Sequence, residues 1–542
     1  MNDKQYFDQL NEHINKILSS DAIKKLIVAG PGTGKTSFFE KTINYYGGSK
    51  ENYLILTFIN NLEDELQKDL GDLAKIYTFH GYCHFLLRRN SSLRYGLQDD
   101  FYYYPALIKL IKSDWEILNK NESPQFTKLM RNTPSEKSLE FFLKIGKYYN
   151  AVGYDDSILR VYKSLNDGKN VNEKYKLIIV DEYQDFNLLE TAVLTHIIDS
   201  NPALVVGDDD QTLYCQLRDS NPSFIRDLFN GQDFEKFELP FCLRCPNAVI
   251  VVFNKIIETA KEKGLLNKRI NKKFNFFPPV KAKDSKNYPK IKLIISTVQR
   301  NGANYFGRYI LKELEKITDE EIKESYDKNF PTVLIIGPTY YLRTLTSLFD
   351  EQELVYEFDE AKPELSINIE DGLKFLKKDN TSNLGWRIII ESIKPEFYSK
   401  CVSSLIDNVK ICNLIPKEFI DEFIKKAESL ELKEEPVVKK EINETKPIIK
   451  LVTYEGAKGL SAQHVFILGT QNGNLPRNPS AITDIEVCKF LVALTRTRKQ
   501  CHILCTTNFA GKRVNPSEFI RWMGDENLDI IRIDKNYWLS IT

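Results

Sequence analysis

The chain has no excess of charge of either sign. Lys and Arg total 75, Asp and Glu also total 75, and the formal net charge over 542 residues is zero. A molecule coated all over for polyanion binding is thereby excluded, and any nucleic-acid surface has to be local, set in a groove. Long apolar runs are missing too. No run approaches the roughly 20 residues that a membrane-spanning helix needs, and the opening Met1-Asn2-Asp3-Lys4-Gln5 lacks the charged-then-apolar form of a leader. No membrane partner is expected. Cysteine is sparse, nine in all and scattered. An odd number without a framework spacing points to a reducing, cytoplasmic setting. What remains, with 42% hydrophobic and 28% charged residues, is an ordinary globular composition in a chain long enough for three or four compact units.

The strongest local signal is Leu26-Ile27-Val28-Ala29-Gly30-Pro31-Gly32-Thr33-Gly34-Lys35-Thr36-Ser37. A strand-length apolar run meets a glycine-rich loop, then Lys-Thr and a helix-compatible stretch. Counted back from Gly34-Lys35-Thr36, the first position of the G-x-x-x-x-G-K-[ST] pattern is Ala29, a tolerated variant. Glycines let backbone N–H groups curl around phosphates, and the helix that follows adds its positive end. Lys35 is the group for the β- and γ-phosphates, and Thr36 offers a hydroxyl to Mg²⁺. The alternative is a surface turn that happens to hold a lysine. The strand before it and the helix after it argue for a nucleoside triphosphate site spanning Ala29 to Ser37.

In order along the chain, the periodicity predicts an amphipathic helix from Gln5 to Ser20 and a strand at Tyr53–Phe58. A helix at Asn61–Leu70 and a short strand at Ala74–Phe79 follow. Strands alternating with helices predict a parallel sheet with its ligand at the C-terminal strand ends. From Leu86 to about Glu173 the pattern is mostly helical, with basic residues (Arg88, Arg89, Arg94, Lys109, Lys112) among aromatics (Phe101, Tyr102, Tyr103, Tyr104, Trp115). Such a mixture suits single-stranded nucleic acid, but about two thirds of aromatics at helical spacing are assigned to core. The sheet resumes at Lys176–Val180 and ends in Asp181-Glu182-Tyr183-Gln184-Asp185. Asp181 is the expected Mg²⁺ anchor and Glu182 the base that orients a water. A further strand, Ala203–Val206, runs into Gly207-Asp208-Asp209-Asp210-Gln211, where the Gln211 amide is placed for a γ-phosphate.

These segments together resemble the superfamily 1 helicases of the UvrD/Rep/PcrA type. Besides the phosphate loop, the matching pieces are Thr57-Phe58 with Asn60, Thr78-Phe79-His80, and the D-E-x-Q-D box at 181–185. They continue with Val206–Tyr214, Leu239-Pro240-Phe241-Cys242-Leu243-Arg244, Thr453–Leu460, and Val492-Ala493-Leu494-Thr495-Arg496-Thr497-Arg498. They occur in family order from residue 29 to residue 498. The resemblance implies an α/β fold with two RecA-like parallel-sheet motor domains and two mainly helical insertions. The first motor domain (1A) would be 1–85 plus 174–235, with an insertion (1B) at 86–173. The second (2A) would be 236–360 plus 446–542, with strands near Ile291–Ile295, Val333–Gly337 and Val465–Leu468. A short second insertion (2B-like) would fill 361–445, ending in a charged linker near 433–441. The resemblance further implies ATP and Mg²⁺ in the cleft, with Lys35, Glu182, Gln211, Arg244 and Arg496 catalytic. Lys458 and Gly459 would help hold the nucleotide. Phe58, Asn60, Thr78, Phe79, His80 and Tyr214 would contact single-stranded DNA or a single-strand/duplex junction.

Several positions depart from the family pattern. Gln5 and Gln9 lie too far upstream for the residue that reads adenine, with Asn11 and His13 nearer. Leu243 replaces a stacking tyrosine, so GTP is less excluded than usual. Ser461 stands where an acid touches ribose, and Gln216 where an aromatic stacks on a base. Asn61, Asp64 and Glu65 reduce the attraction of the first DNA-contact helix for phosphates. Cys242-x-x-Cys245 overlaps the arginine motif, and with Cys501 and Cys505 it is not read as a metal site. Two functions compete on this basis. One is a 3′-to-5′ single-stranded DNA translocase and helicase. The other is a nucleic-acid-stimulated ATPase serving as sensor or regulatory subunit beside a nuclease or other protein partner. An RNA-directed motor is a weaker third.

Overall fold

Apolar runs set the layout. Leu26, Ile27, Val28 and Ala29 are all buried, as are Leu54–Leu56, Ile178–Val180 and Leu204–Val206. Strands buried on both faces belong inside a helix-covered parallel sheet. The computed structural model describes residues 2–58, 60–296, 302–358, 365–393, 397, 405, 409–430, 445–509, 511–534 and 537. Its first sheet has six parallel strands: β1 (Lys24–Ala29), β2 (Tyr53–Thr57), β3 (Lys75–Thr78), β4 (Leu177–Val180), β5 (Ala203–Gly207) and β6 (Glu235–Leu239). Their order across the sheet is β3-β2-β4-β5-β1-β6. Because β4, β5 and β1 are neighbours, three loops far apart in sequence leave the same edge together: 30–34, 181–185 and 208–211. Helix α1 (Asp3–Leu18) packs near β6, α2 (Lys35–Tyr46) starts directly after the phosphate loop, and α3 (Asn60–Leu70) follows β2. The sheet continues through Leu239, past the boundary expected at 235, because β6 pairs with β1 from Lys25↔Glu235 to Ala29↔Leu239.

The second sheet has seven strands, again all parallel: β7 (Ile291–Ser296), β8 (Val333–Ile336), β9 (Tyr356–Phe358), β10 (Ile449–Val452), β11 (Ala462–Leu468), β12 (Thr497–Thr506) and β13 (Leu528–Ile533). Their order is β9-β10-β8-β11-β12-β7-β13. Two RecA-like parallel sheets therefore make up the α/β core. The second sheet turns the start of β11 and β12 toward the first, so Lys458 and Gly459 (before β11) and Arg496 (before β12) face the three loops.

Between β3 and β4 the chain is mainly helical, beginning with α4 (Phe79–Arg89) and continuing through helices at Leu107–Asn119, Phe126–Asn132, Ser138–Tyr148 and Asp155–Asn166. A two-residue parallel pair, Tyr102–Tyr103 with Ala151–Val152, interrupts them. Phe101 and Tyr104 are buried and Tyr103 is exposed, so the aromatic run divides between core and surface. The described helices of the second insertion, Ile369–Lys378, Asn383–Ile393 and Lys417–Glu428, share one continuous apolar core with the first insertion. Arg387 binds Asp114 by two nitrogens at 2.9 and 2.8 Å, and the Tyr149 hydroxyl donates to the other Asp114 oxygen at 2.6 Å. The Tyr102 ring lies 4.8 Å from Phe375. The linker expected at 433–441 lies outside the described residues. Among the described residues no helix is long and apolar enough to cross a membrane.

Candidate active site

The phosphate loop is shaped by backbone as much as by side chains. Gly32 has φ +70°, and a Cβ there would stand 2.5 Å from the Arg244 Cβ. Only glycine permits both the turn and the close approach. The Thr33 hydroxyl donates to the Gly30 carbonyl at 3.0 Å, and α2 starts at Lys35 with Gly34 as its left-handed cap. From the other lobe, the Leu243 N–H donates to the Gly32 carbonyl at 2.8 Å and the Cys242 thiol reaches the Pro31 carbonyl at 3.4 Å. The residues carrying the arginine motif thus rest directly on the loop.

A cleft of about 350 Å³ opens between them, lined by Pro31 to Ser37, Leu62, Glu65, Asp181, Glu182, Gln211, Leu243, Arg244, Gly459, Arg496 and Arg498. Ala29 and Gly30 lead into it from β1. At its floor the Lys35 ammonium forms an ion pair with Glu182 and lies 3.6 Å from Asp181. Glu182 has φ +53°, an uncommon backbone for a residue with a side chain, costing about 1–3 kcal/mol. Its carboxylate is also held by the Gln184 amide at 2.5 Å. Burial alone would raise the Glu182 pKa, but the charges of Lys35 and Lys458 outweigh it and hold the group well below the usual carboxylate range. Burial would likewise lower Lys35, and the Asp181 and Glu182 charges reverse that. The acids already hold one cation, and Asp181 with the half-buried Thr36 offers oxygen donors suited to a hard divalent ion.

The roof is cationic. Arg496 is 2% exposed; it donates to the carbonyls of Val492 (2.9 Å) and Leu460 (3.3 Å) and to the Gln211 amide oxygen (3.0 Å). Arg244 reaches the Thr495 carbonyl at 3.4 Å. Arg498 donates to the Ser461 hydroxyl at 2.9 Å and lies over the Phe330 ring. Among the described residues none of these three guanidiniums forms an ion pair with a carboxylate. Burial, together with the nearby Arg244 charge, pushes Arg496 and Arg498 down from the usual arginine range. Guanidiniums stay charged in proteins, so this strain is relieved by an incoming anion. Arg498 was not among the expected site residues. Its place two residues beyond Arg496, held by Ser461 where the family has an acid, is the signal that finds it.

Other expected positions fall differently. Lys458 does not enter the cleft. Its ammonium pairs with Asp185, donates to the Gln211 carbonyl at 2.8 Å and lies 3.4 Å from Glu182, so it bridges the lobes behind the base. Gly459 does line the cleft. Its φ of +84° lets the backbone approach Leu62 of α3, 3.2 Å from where a Cβ would stand. The residues expected to face a strand are turned inward. Phe58 is 3% exposed, covered by the Arg218 guanidinium 4.2 Å from its ring and by Tyr214 at 5.8 Å. Thr78 is spent as the cap of α4, accepting from the Gly81 N–H at 3.2 Å. Phe79 packs on Phe186 in the core. His80 is buried with Asp155 at 3.3 Å. Tyr214 is half-buried and donates to the Glu455 carbonyl at 3.1 Å. The side chain of Asn60 lies outside the described residues. Gln5 is used in the cap of α1, while Gln9 and Asn11 are exposed.

Fold and cleft together define a P-loop nucleotide-binding protein of the two-sheet RecA-like class. Residues 11–216 match the AAA domain family. Over 98% of this chain and 89% of the relative, the sequence is 24% identical to a probable DNA helicase II homolog of Mycoplasma genitalium. It is 26% identical to the ATP-dependent DNA helicase PcrA of Staphylococcus aureus over 60% of this chain and 51% of that protein. For the ATP-dependent DNA helicase UvrD1 of Mycobacterium tuberculosis the figures are 26%, 39% and 34%. These matches, one of them over nearly the whole chain, make it similar to DNA helicases of the UvrD type.

Proposed function

We propose that the chain is an ATP-dependent DNA helicase that hydrolyses ATP in the cleft and moves 3′ to 5′ along single-stranded DNA. The observation that carries this reading is the set of three arginines, 244, 496 and 498, without carboxylate partners among the described residues, facing a phosphate loop across a narrow gap. A triphosphate supplies the missing negative charge to both lobes at once, and pulls them together. Thr36 and Asp181 would hold Mg²⁺, which when bound neutralises charge on the β- and γ-phosphates. Lys35 then leaves Glu182 for the phosphates, and Glu182, with the Lys458 ammonium still 3.4 Å away, is free to orient the attacking water. Gln211 and Arg496 are the pair that registers the γ-phosphate. DNA as the track is supported by the relatives, each named a DNA helicase.

Turnover of ATP should rise on adding single-stranded DNA and lose that stimulation as salt is raised. Duplexes with a 3′ tail should be unwound and those with a 5′ tail left intact; the reverse preference removes the polarity, and no stimulation by DNA removes the motor. One observation favours a second reading. Phe58, Thr78, Phe79 and His80 are all sealed in this conformation, which suits an ATPase that senses nucleic acid beside a partner nuclease and unwinds little by itself. DNA-stimulated hydrolysis without strand separation would select it.

A further inference from the structure

Asp208, Asp209 and Asp210 are consecutive, all 2% exposed or less, with carboxylate oxygens within 4.8 Å of one another. Three buried anions at that spacing require compensating cations. Lys272 supplies the central one. Its ammonium lies 2.7 Å from Asp208, 2.6 Å from Asp209 and 2.7 Å from Asp210, one carboxylate for each of its three donors. Arg269 closes the cage on Asp210 at 2.7 Å, Arg226 on Asp209 at 2.9 Å, and the Ile270 N–H donates to Asp209 at 2.9 Å. Lys272 stands in none of the recognised motifs. It belongs to a strap that lies over the first lobe: Ile270 is buried in that lobe's core, Phe274 covers Gly30 of the phosphate loop, and Phe277 packs on α1 through Phe7 at 5.3 Å.

Asp208 connects this cage to the cleft. One of its oxygens takes the Lys272 ammonium; the other accepts from the Gln211 amide nitrogen at 2.8 Å. The Gln211 amide oxygen then accepts from Arg496 at 3.0 Å. We propose that Lys272 is a positioning residue for ATP hydrolysis, its ammonium taking the place of a metal ion in a three-carboxylate cage and thereby aiming Gln211, through Asp208, at Arg496. The inference rests on the nucleotide reading given above. It adds a residue outside the cleft that sets the geometry of the γ-phosphate pair and ties it to the strap over the phosphate loop.

The full-length chain carries the test. Lys272→Ala should lower kcat for ATP by about 100-fold, the scale of a small misplacement at a reacting centre, with little change in KM. Methylammonium should restore a substantial part of that loss in Lys272→Ala and none in Gln211→Ala. The emptied cage should take up one terbium ion, read by its luminescence, where the parent cage takes none. Asp208→Asn leaves Lys272 two carboxylates and so preserves the fold; it should lose kcat to the same extent, and the double variant should be no worse than either single one. Parental turnover in Asp208→Asn, or strictly additive losses, would overturn the proposal even if Lys272→Ala were unstable. A parent chain without ATP hydrolysis would instead sink the nucleotide reading, while the terbium measurement still reports on the cage.

Discussion

Glu182 and Lys35 hold one another at the base of the cleft, and each is indispensable to the proposed chemistry for a different reason. Lys35→Ala removes a phosphate ligand, so both nucleotide binding and turnover should fall. Glu182→Gln keeps the shape and the hydrogen-bonding reach but loses the charge that orients water. Its turnover should drop by about 100-fold to 10,000-fold while binding of a fluorescent nucleotide persists. Equal turnover in variant and parent would take Glu182 out of its role. At this scale the phosphate loop and the acids after β4 were legible from residue types at fixed spacing, whereas Arg244, Arg496 and Gly459 were expected only through the family resemblance. The exceptions are instructive. Lys458 belongs to a matching segment, yet its ammonium goes to Asp185 because that buried carboxylate is the nearer uncompensated charge. Lys272 belongs to no motif at all, since its partners are contributed by another loop.

Among elements, α4 turns the side chains of a matching tripeptide into the protein. Thr78 caps the helix, Phe79 begins its buried face, and His80 turns toward Asp155 of the helix at Asp155–Asn166. Strand spans were readable from runs of four apolar residues, but which side of a short helix faces solvent depends on what the insertion lays over it. Asp155 is the hub of that junction, 3.3 Å from His80 and 3.1 Å from Arg131. Burial would raise its pKa, but the His80 hydrogen bond and the Arg131 charge outweigh it and bring it down to about 2. A depressed carboxylate stabilises the fold above its unfolded value, near 3.8, and that contribution disappears as pH falls through 2. Asp155→Asn should therefore cost about 2 kcal/mol at neutral pH. The gap between parent and variant in urea denaturation should narrow steadily below pH 4. A gap independent of pH would show that the junction does not depend on that charge.

For the whole molecule, the alternation of strands and helices was enough to expect a parallel sheet, the family resemblance added the second one, and neither announced the docking of the two insertions. Asp114 and Arg387 are separated by 273 residues, about half of the chain, and no periodicity announces their pairing. Removing one member of a buried pair leaves the other uncompensated, at about 3–5 kcal/mol. Arg387→Ala should accordingly release the second insertion to early proteolysis while ATP turnover in the cleft survives; simultaneous loss of both would mean the insertion supports the lobes directly. The pairing also bears on how the molecule moves. In sequence the second insertion interrupts the second lobe, but by packing it belongs with the first. The halves therefore touch at the insertions as well as along the cleft, through Asp114 and Arg387 at one and Lys458 and Asp185 at the other. Separating the lobes at the cleft therefore loads the contact between the insertions as well.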